Sequence, residues 1–176
     1  MIRAVSTRER ILDAALDLFA AEGVSGTTVT EIERRAGLTA GSGSLYRHFR
    51  SKDDVFEATI VREVERLKGV VAEERAELPK LSDRRSQLTL EYHQCLRDVE
   101  RFDSLLRVLY REGRRVADVH DILGRVLGID ELLDSVTSVV VVAALLGYHH
   151  LCQFQRRPFS GIEADEFIAR LVDLTL

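Results

Sequence analysis

The sequence is poor in the residues that build turns, disulfide frameworks and membrane spans. Its 176 residues include 2 Pro, 2 Cys and no Trp. Cys95 and Cys152 form no metal-ligand or disulfide pattern, and a chain of this length buries enough surface to fold without such a link. The longest apolar run, residues 139–146, is far shorter than the roughly 20 residues of a membrane helix. We therefore expect a folded protein without a disulfide, metal or membrane association.

Charge is distributed unevenly along the chain. The net charge is −4, yet residues 1–52 contain eight Lys and Arg against six acidic residues. A polyanionic partner is therefore expected to meet the N-terminal third. Residues 1–6 lead directly into a charged segment, without the apolar stretch of a secretory signal, and we expect a cytoplasmic protein.

The first third of the chain has clear helix start and stop signals. Residues 6–9 and 28–31 both read Ser/Thr-x-x-Glu, a capping-box pattern in which the two side chains bond free amides at a helix start. Apolar residues then recur at spacings of three and four until a glycine follows. This pattern predicts helices over residues 7–22 and 29–36.

The same periodicity continues to the C-terminus and predicts an all-α fold of about nine helices. A short one is expected near residues 42–49, and the others over 51–78, 82–101, 104–112, 117–127, 130–155 and from a capping box at 160–163 to about 174. The run of four valines at 139–142 would suit a buried strand if isolated. Flanking residues continue the helical period on both sides, so we favour a helix there.

Two short helices joined by a glycine-containing turn are typical of a helix-turn-helix, whose second helix lies in the DNA major groove. Leu45 and Phe49 share one face and are expected to pack inward, whereas Tyr46, Arg47 and His48 project elsewhere. Their hydroxyl, guanidinium and imidazole groups suit phosphates and base edges. From these features alone, a helix pair that only caps a globular bundle is an equal alternative.

Residues 7–56 resemble the DNA-binding region of the tetracycline-repressor (TetR) family of transcriptional regulators. The resemblance rests on residues 27–32 (TTVTEI), 36–38 (AGL) and 45–56 (LYRHFRSKDDVF). It implies an all-helical homodimer with a three-helix DNA-binding domain at residues 1–50. It also implies an effector-binding and dimerisation domain at 51–176, in which residues 51–78 form the connecting helix. The expected function is a repressor released from a palindromic operator in double-stranded DNA by a small molecule. The alternative is a helical ligand-binding or scaffolding protein that has lost DNA binding.

The resemblance also marks the residues expected to contact DNA. Tyr46, His48 and Lys52 match backbone contacts, Thr28 matches a phosphate contact, and Ser44 opens the base-facing element. Seven residues separate Gly37 from Leu45 where most members have five, so the extra pair either lengthens the turn or extends the recognition helix. The full set of expected DNA contacts is Thr28, Thr39, Ser42, Ser44, Tyr46, Arg47, His48 and Lys52.

The C-terminal part is expected to form a dimer through its last two helices. The helix at 130–155 is apolar nearly all round, so it must be buried on several sides. The last helix has a stripe of its own, and together they could form a four-helix interface between two chains. The alternative is that both complete the monomer core. The expected interface residues are Val136, Val140, Ala143, Ala144, Gly147, Phe167, Ile168 and Leu171.

An effector pocket is expected among the helices at 82–101, 104–112 and 130–155. Side chains with an apolar body and a polar tip suit such a pocket, although for each of them a place in the packed core is the favoured interpretation. The apolar surroundings favour a mainly hydrophobic effector. The candidates are Tyr92, Leu96, Leu106, Tyr110, Val141, Leu145, Tyr148 and His149.

No cofactor, metal site or enzymatic activity is expected. His149 and Cys152 are too few for a stable metal site, and His150 points away from its neighbour on a helix. The sequence contains no nucleophile elbow, phosphate-binding loop or His-Glu-x-x-His pair.

Overall fold

The computed structural model describes residues 5–115 and 136–176, and these ranges contain helices and no strand. The predicted all-α fold is confirmed. Within the described ranges, two 3₁₀ helices, Ser44–Arg47 and Phe159–Gly161, accompany seven α-helices. The predicted helix at 117–127 and the start of the one at 130–155 lie outside the described residues. The α-helices are α1 (Thr7–Gly26), α2 (Val29–Arg35), α3 (Lys52–Glu77), α4 (Arg84–Arg101), α5 (Asp103–Glu112), α6 (Val136–Gln155) and α7 (Ala164–Thr175).

The chain divides into two compact units. Unit 1 contains residues 5–66 and 103–115, and unit 2 contains residues 67–102 and 136–176. The division differs from the boundary expected at residue 50. Because α3 continues without a break from Lys52 to Glu77, it contributes to both units, and α5 belongs to unit 1.

Unit 1 is built on the buried face of α1. The Phe19 ring meets the Phe56 ring edge to face, with centroids 5.7 Å apart, a geometry that adds about 0.5–1.5 kcal/mol beyond apolar burial. Ile32 of α2 and Leu45 of the first 3₁₀ helix are fully buried. α5 packs against α1 and buries an apolar face that includes Leu105. These contacts hold α2 and α3 in place, and with them the two ends of the segment that joins these helices.

The turn between α1 and α2 is held by α5. Gly23 interrupts the helix with φ +76°, a conformation that suits glycine. The Val24 amide then donates to the Glu112 carboxylate at 2.8 Å, and the Arg111 guanidinium donates to the Ala21 carbonyl at 2.6 Å. A backbone amide and a backbone carbonyl that lack partners at the end of α1 are thereby bonded by side chains of α5.

The predicted capping box at the start of α2 is confirmed in both halves. The Glu31 amide donates to Thr28 Oγ1 at 3.2 Å, and the Thr28 amide donates to Glu31 Oε2 at 2.8 Å. Ser6 caps α1 by accepting from the Glu9 amide at 3.2 Å. Local sequence therefore sets where both helices begin.

Unit 2 packs α4 against α6 and α7. The Tyr148 ring stacks on the Phe167 ring at 4.3 Å, and the Tyr148 hydroxyl donates to the Ile162 carbonyl at 2.8 Å. Burial raises the pKa of Tyr148 to about 12. Ile168 and Leu171 were expected at a dimer interface, but both are buried within the core of their own chain, so they offer no surface to a partner.

Two helix starts in unit 2 differ from expectation. The capping box predicted at residues 160–163 is wrong, because Ser160 lies in the second 3₁₀ helix with φ +56° and α7 begins after Glu163. α4 begins after Asp83, whose carboxylate accepts from the Ser86 amide at 2.8 Å. The residues that precede the two helices, Asp83 and Glu163, are polar and lie within three positions of the predicted capping serines.

The valine run at residues 139–142 lies within α6, so the predicted helix is confirmed. Burial is one-sided, however. Val141 and Val142 are buried, whereas Val136 and Val140 are 82% and 55% exposed. Within residues 5–115 and 136–176, burial is thus confined to one face of this apolar helix. No helix in the described ranges is long and apolar enough to cross a membrane.

Candidate nucleic-acid interface

A glycine-rich turn leads from α2 to the first 3₁₀ helix. Gly37 ends α2 with φ +69°, and Gly41 and Gly43 have φ +73° and +69°. Residues other than glycine rarely adopt these backbone angles. Residues 38–43 are in turn or irregular conformation, and the 3₁₀ helix begins at Ser44. The two additional residues therefore lengthen the turn and do not extend a recognition helix.

The expected recognition helix is a single turn of 3₁₀ helix, Ser44–Arg47. Leu45 and Phe49 are 0% and 3% exposed, so their predicted inward packing is confirmed. The Arg8 guanidinium lies over the Phe49 ring at 5.1 Å, a cation–π contact. With these two side chains buried, Tyr46 is left 58% exposed.

A carboxylate that sequence reasoning missed joins α2 to this turn. Glu33 is 0% exposed; its Oε2 accepts from the Gly41 amide at 2.8 Å and its Oε1 accepts from the Leu45 amide at 3.0 Å. The signal was present in the sequence. Glu33 shares the helical spacing of the apolar stripe formed by Val29, Ile32 and Ala36, so an acidic residue stands where the pattern requires an inward-facing side chain.

Most of the expected DNA contacts are accessible. Ser42 and Ser44 lie together, with their hydroxyl oxygens 2.7 Å apart, and Ser44 is half-buried. The Thr28 hydroxyl is engaged in the cap of α2, where it donates to Glu31 Oε2 at 2.7 Å. This bond holds the pKa of Glu31 below its usual value. Exposed members of the expected set are Thr28, Thr39, Ser42, Tyr46, Arg47 and His48.

Lys52 differs from the expectation of a free phosphate contact. Its ammonium donates to the Val24 carbonyl at 2.5 Å and to the Thr27 carbonyl at 2.7 Å, and the side chain is half-buried. Two of its three N–H groups are therefore used within unit 1. The geometry assigns Lys52 to the turn between α1 and α2.

Several acidic side chains of unit 1 are paired with arginines. Arg62 bonds the carboxylates of Glu9 and Asp13 at 3.1 and 2.6 Å, and Arg35 bonds Asp17 at 2.7 Å. These ion pairs offset part of the acidic charge of unit 1, and exposed basic residues lie on α2 and in or just after the first 3₁₀ helix. These are Arg34, Arg47 and Arg50.

Comparison with known proteins identifies the segment that carries these features. Residues 11–59 match the family described as bacterial regulatory proteins, tetR family. The N-terminal segment of this chain therefore matches the tetR family over 49 of the chain's 176 residues. It includes α1, α2, the glycine-rich turn, the 3₁₀ helix and the start of α3.

Similar proteins agree with this assignment. The chain is 47% identical over 57 residues to the transcriptional regulator SrpR of Pseudomonas putida, covering 32% of this chain and 26% of that protein. It is 46% identical over 59 residues to the transcriptional repressor BepR of Brucella suis, covering 34% and 27%. The matched region thus spans about a quarter of the length of these relatives.

The fold likeness extends over nearly the whole chain. The solved structure of the fatty acid degradation regulator FadR from Bacillus halodurans matches with a TM-score of 0.69 and 16% identity. It covers 99% of this chain and 96% of that one. The architecture beyond residues 11–59 is therefore shared at the level of fold.

The expected effector residues divide between the two units. Tyr92 lies in unit 2, and its hydroxyl donates to Thr175 Oγ1 at 2.8 Å. Leu106 and Tyr110 instead lie on α5, in unit 1, where Tyr110 is 62% exposed. The other expected effector residues are buried in unit 2: Leu96, Val141, Leu145, Tyr148 and His149.

A cavity of about 300 Å³ lies in unit 2, and none of the expected effector residues lines it. Five of its seven lining residues have charged or amide side chains, whereas the expected pocket was lined mainly by aliphatic and aromatic ones. Burial raises the pKa of the Cys95 thiol at its edge to about 11. Within the described ranges no three His, Cys, Asp or Glu side chains could together hold a metal ion. The lining residues are Arg75, Leu78, Lys80, Gln87, Glu91, Gln94 and Cys95.

α6 carries an apolar stripe that is exposed in the part of the chain that the structure describes. The stripe has helical spacing and ends at Phe154, which is 83% exposed. A contiguous apolar surface of this kind marks an interaction site. Its members are Val136, Val139, Val140, Ala143, Gly147, Leu151 and Phe154.

Proposed function

We propose that this chain is a transcriptional regulator that binds double-stranded DNA through the segment between α2 and α3. The observation that supports this best is the pairing of buried Leu45 and Phe49 with exposed Tyr46, Arg47 and His48 in a tetR-family segment. Phenol, guanidinium and imidazole groups donate to phosphate oxygens, and arginine also reads guanine edges.

The proposed regulator acts as a homodimer. A helix-turn-helix protein reads two half-sites about 34–36 Å apart, which requires a twofold partner. The exposed stripe of α6 supports a second copy as that partner, since one apolar helix face can meet its own symmetry mate. We propose that Val136, Val140, Ala143, Ala144, Gly147 and Phe167 contribute, without the buried Ile168 and Leu171.

We also propose that the regulator represses transcription in the cytoplasm and leaves its operator when a small molecule binds unit 2. BepR, one of the similar proteins, is named a repressor. An effector with higher affinity for a conformer that binds DNA poorly shifts the population away from DNA. α3 supports such coupling because one continuous helix contributes to both units. The buried apolar surface between α4 and α6 is the proposed site, and a mainly apolar ligand is its proposed occupant.

A salt-dependent gel-shift titration tests DNA binding. The probe is the duplex that lies upstream of the protein's own gene, and a shuffled duplex of equal composition is the control. Phosphate neutralisation releases counterions, so affinity is expected to fall by about tenfold or more between 50 and 200 mM salt. Unaltered mobility at low salt would refute the proposal and favour a helical ligand-binding or scaffolding protein.

A further inference from the structure

Glu33 has an unusual position for an acidic side chain. It is fully buried on α2, beside Ile32 and on the same helical stripe. A buried carboxylate is unfavourable unless its oxygens accept hydrogen bonds. Glu33 satisfies both oxygens with backbone amides that lie eight and twelve residues further along the chain. Burial also removes it from direct contact with any DNA base.

The two amides lie on either side of the expected base-facing residues. Gly41 is in the turn, is exposed and has φ +73°, whereas Leu45 is the second residue of the 3₁₀ helix. The first amides of a helix have no partner within it, and Glu33 supplies one for Leu45. Between these two anchors lie Ser42 and Ser44.

We infer that Glu33 is a positioning residue for DNA recognition. Its carboxylate fixes the turn against α2 and thereby sets how Ser42, Ser44 and Tyr46 are presented to a duplex. The inference rests on the proposed function and adds a residue on which sequence selectivity depends. Only a side chain with two acceptor oxygens at this reach satisfies both amides, because glutamine turns an NH₂ group toward one of them.

The experiment compares selectivity with stability. Wild-type protein first selects a preferred duplex from a randomised pool, and a shuffled duplex of the same composition serves as the non-specific probe. Fluorescence anisotropy then gives the affinity of each variant for both duplexes at one salt concentration. The variants are Glu33→Gln and Val64→Ala, the second being a buried residue of unit 1 that does not bond the turn. Thermal unfolding reports how far each is destabilised.

The expected result is a selective loss. Glu33→Gln lowers the ratio of selected to shuffled affinity by about tenfold or more, while shuffled affinity changes by less than about twofold. Val64→Ala lowers the unfolding temperature but keeps the ratio. An unchanged ratio in Glu33→Gln, or an equal fall in Val64→Ala, overturns the inference and leaves the proposed function intact. A wild-type protein that selects no duplex overturns the proposed function, and the inference with it.

A measurement on the wild type keeps the test decisive if Glu33→Gln does not fold. Amide hydrogen exchange is expected to be slow at Gly41 and Leu45, although Gly41 itself is exposed. Rapid exchange at Gly41 overturns the geometry on which the inference rests. Glu33→Asp, one methylene shorter, then takes the place of Glu33→Gln in the affinity comparison, with the same expected fall in the ratio.

Discussion

The Lys52 ammonium lies 2.7 Å from the carbonyl oxygen of Thr27, the residue that precedes the cap of α2. The same ammonium bonds the Val24 carbonyl. The first residue of α3 therefore holds the turn between α1 and α2. Because these bonds involve a charged donor, each contributes about 1.5–3 kcal/mol, and Lys52 belongs to the fold of unit 1 as well as to the matched motif.

Replacing Lys52 is therefore expected to cost stability. Lys52→Met keeps most of the aliphatic stem and removes both hydrogen bonds. We expect a loss of about 3 kcal/mol or more in the free energy of unfolding, measured by urea denaturation. Lys68→Met, the same change at an exposed position of α3, should cost less than about 0.5 kcal/mol. Equal losses in the two variants would contradict the role of Lys52 in the turn.

Tyr46 is expected to act on DNA and not on the fold. The side chain is 58% exposed, so Tyr46→Phe removes a hydroxyl without opening a cavity. One lost hydrogen bond to DNA in each subunit should weaken binding by about tenfold, with an unchanged unfolding temperature. Tyr110→Phe, at a similarly exposed tyrosine of α5, is the control. Wild-type affinity in Tyr46→Phe and Tyr46→Ala would argue against the proposed contact.

The exposed stripe of α6 predicts the effect of a bulky residue at Gly147. A Cβ atom added there meets no atom within 4 Å outside its own stretch of helix, and leucine is a better helix former than glycine by somewhat less than about 1 kcal/mol. Gly147→Leu should therefore fold normally and fail to dimerise, as measured by sedimentation velocity with circular dichroism. Gly69→Leu in α3 has the same open surroundings and should remain a dimer. A dimeric Gly147→Leu protein would place the interface elsewhere.

Local signals in the sequence were sufficient for most helices of this protein. The capping box at Thr28 and Glu31 predicted the start of α2, because its bonds join residues only three apart. The helical period around the valine run predicted α6 correctly despite the β-branched residues. In both cases the deciding interactions lie within a few residues of one another.

Long-range contacts explain what the sequence did not predict. The segment expected to face DNA contains a 3₁₀ turn held by Glu33, whose partners are eight and twelve residues away. The role of Lys52 depends on carbonyls 25 and 28 residues away. The one-sided burial of α6 depends on which face α4 covers, and an all-apolar helix gives no sign of that choice.

The two cysteines are expected to differ sharply in reactivity. The thiolate is the reactive form, and with a pKa of about 11 Cys95 is about 0.1% ionised at pH 8. Cys152 is only half-buried. A thiol reagent such as DTNB should therefore modify one cysteine per native chain quickly and the second only after unfolding in urea. Cys152→Ser should remove the fast reaction, and two equally fast reactions would contradict the burial of Cys95.

The buried carboxylate of Asp98 predicts a stability that depends on pH. Asp98 is fully buried, accepts one hydrogen bond from Gln94 at 3.0 Å, and lies 3.6 Å from the Arg75 guanidinium. Burial raises the pKa of Asp98 despite both neighbours. The folded chain therefore holds the Asp98 proton more tightly than the unfolded chain. As a result, the stabilising effect of the protonated form is present below the unfolded-state pKa and is lost as pH rises through the raised pKa of the folded chain.

Asp98→Asn removes that cost because asparagine keeps the shape of the side chain without the charge. The variant should unfold at a higher temperature than wild type at pH 7, and the advantage should disappear below the ordinary aspartate pKa of about 3.9. Asp83→Asn is the control of opposite sign, because hydrogen bonds from Ser86 lower the pKa of Asp83. Asp83→Asn should unfold at a lower temperature than wild type at pH 7, and this difference should vanish in acid. A wild-type protein more stable than Asp98→Asn at pH 7 would mean that the attraction of Arg75 outweighs burial.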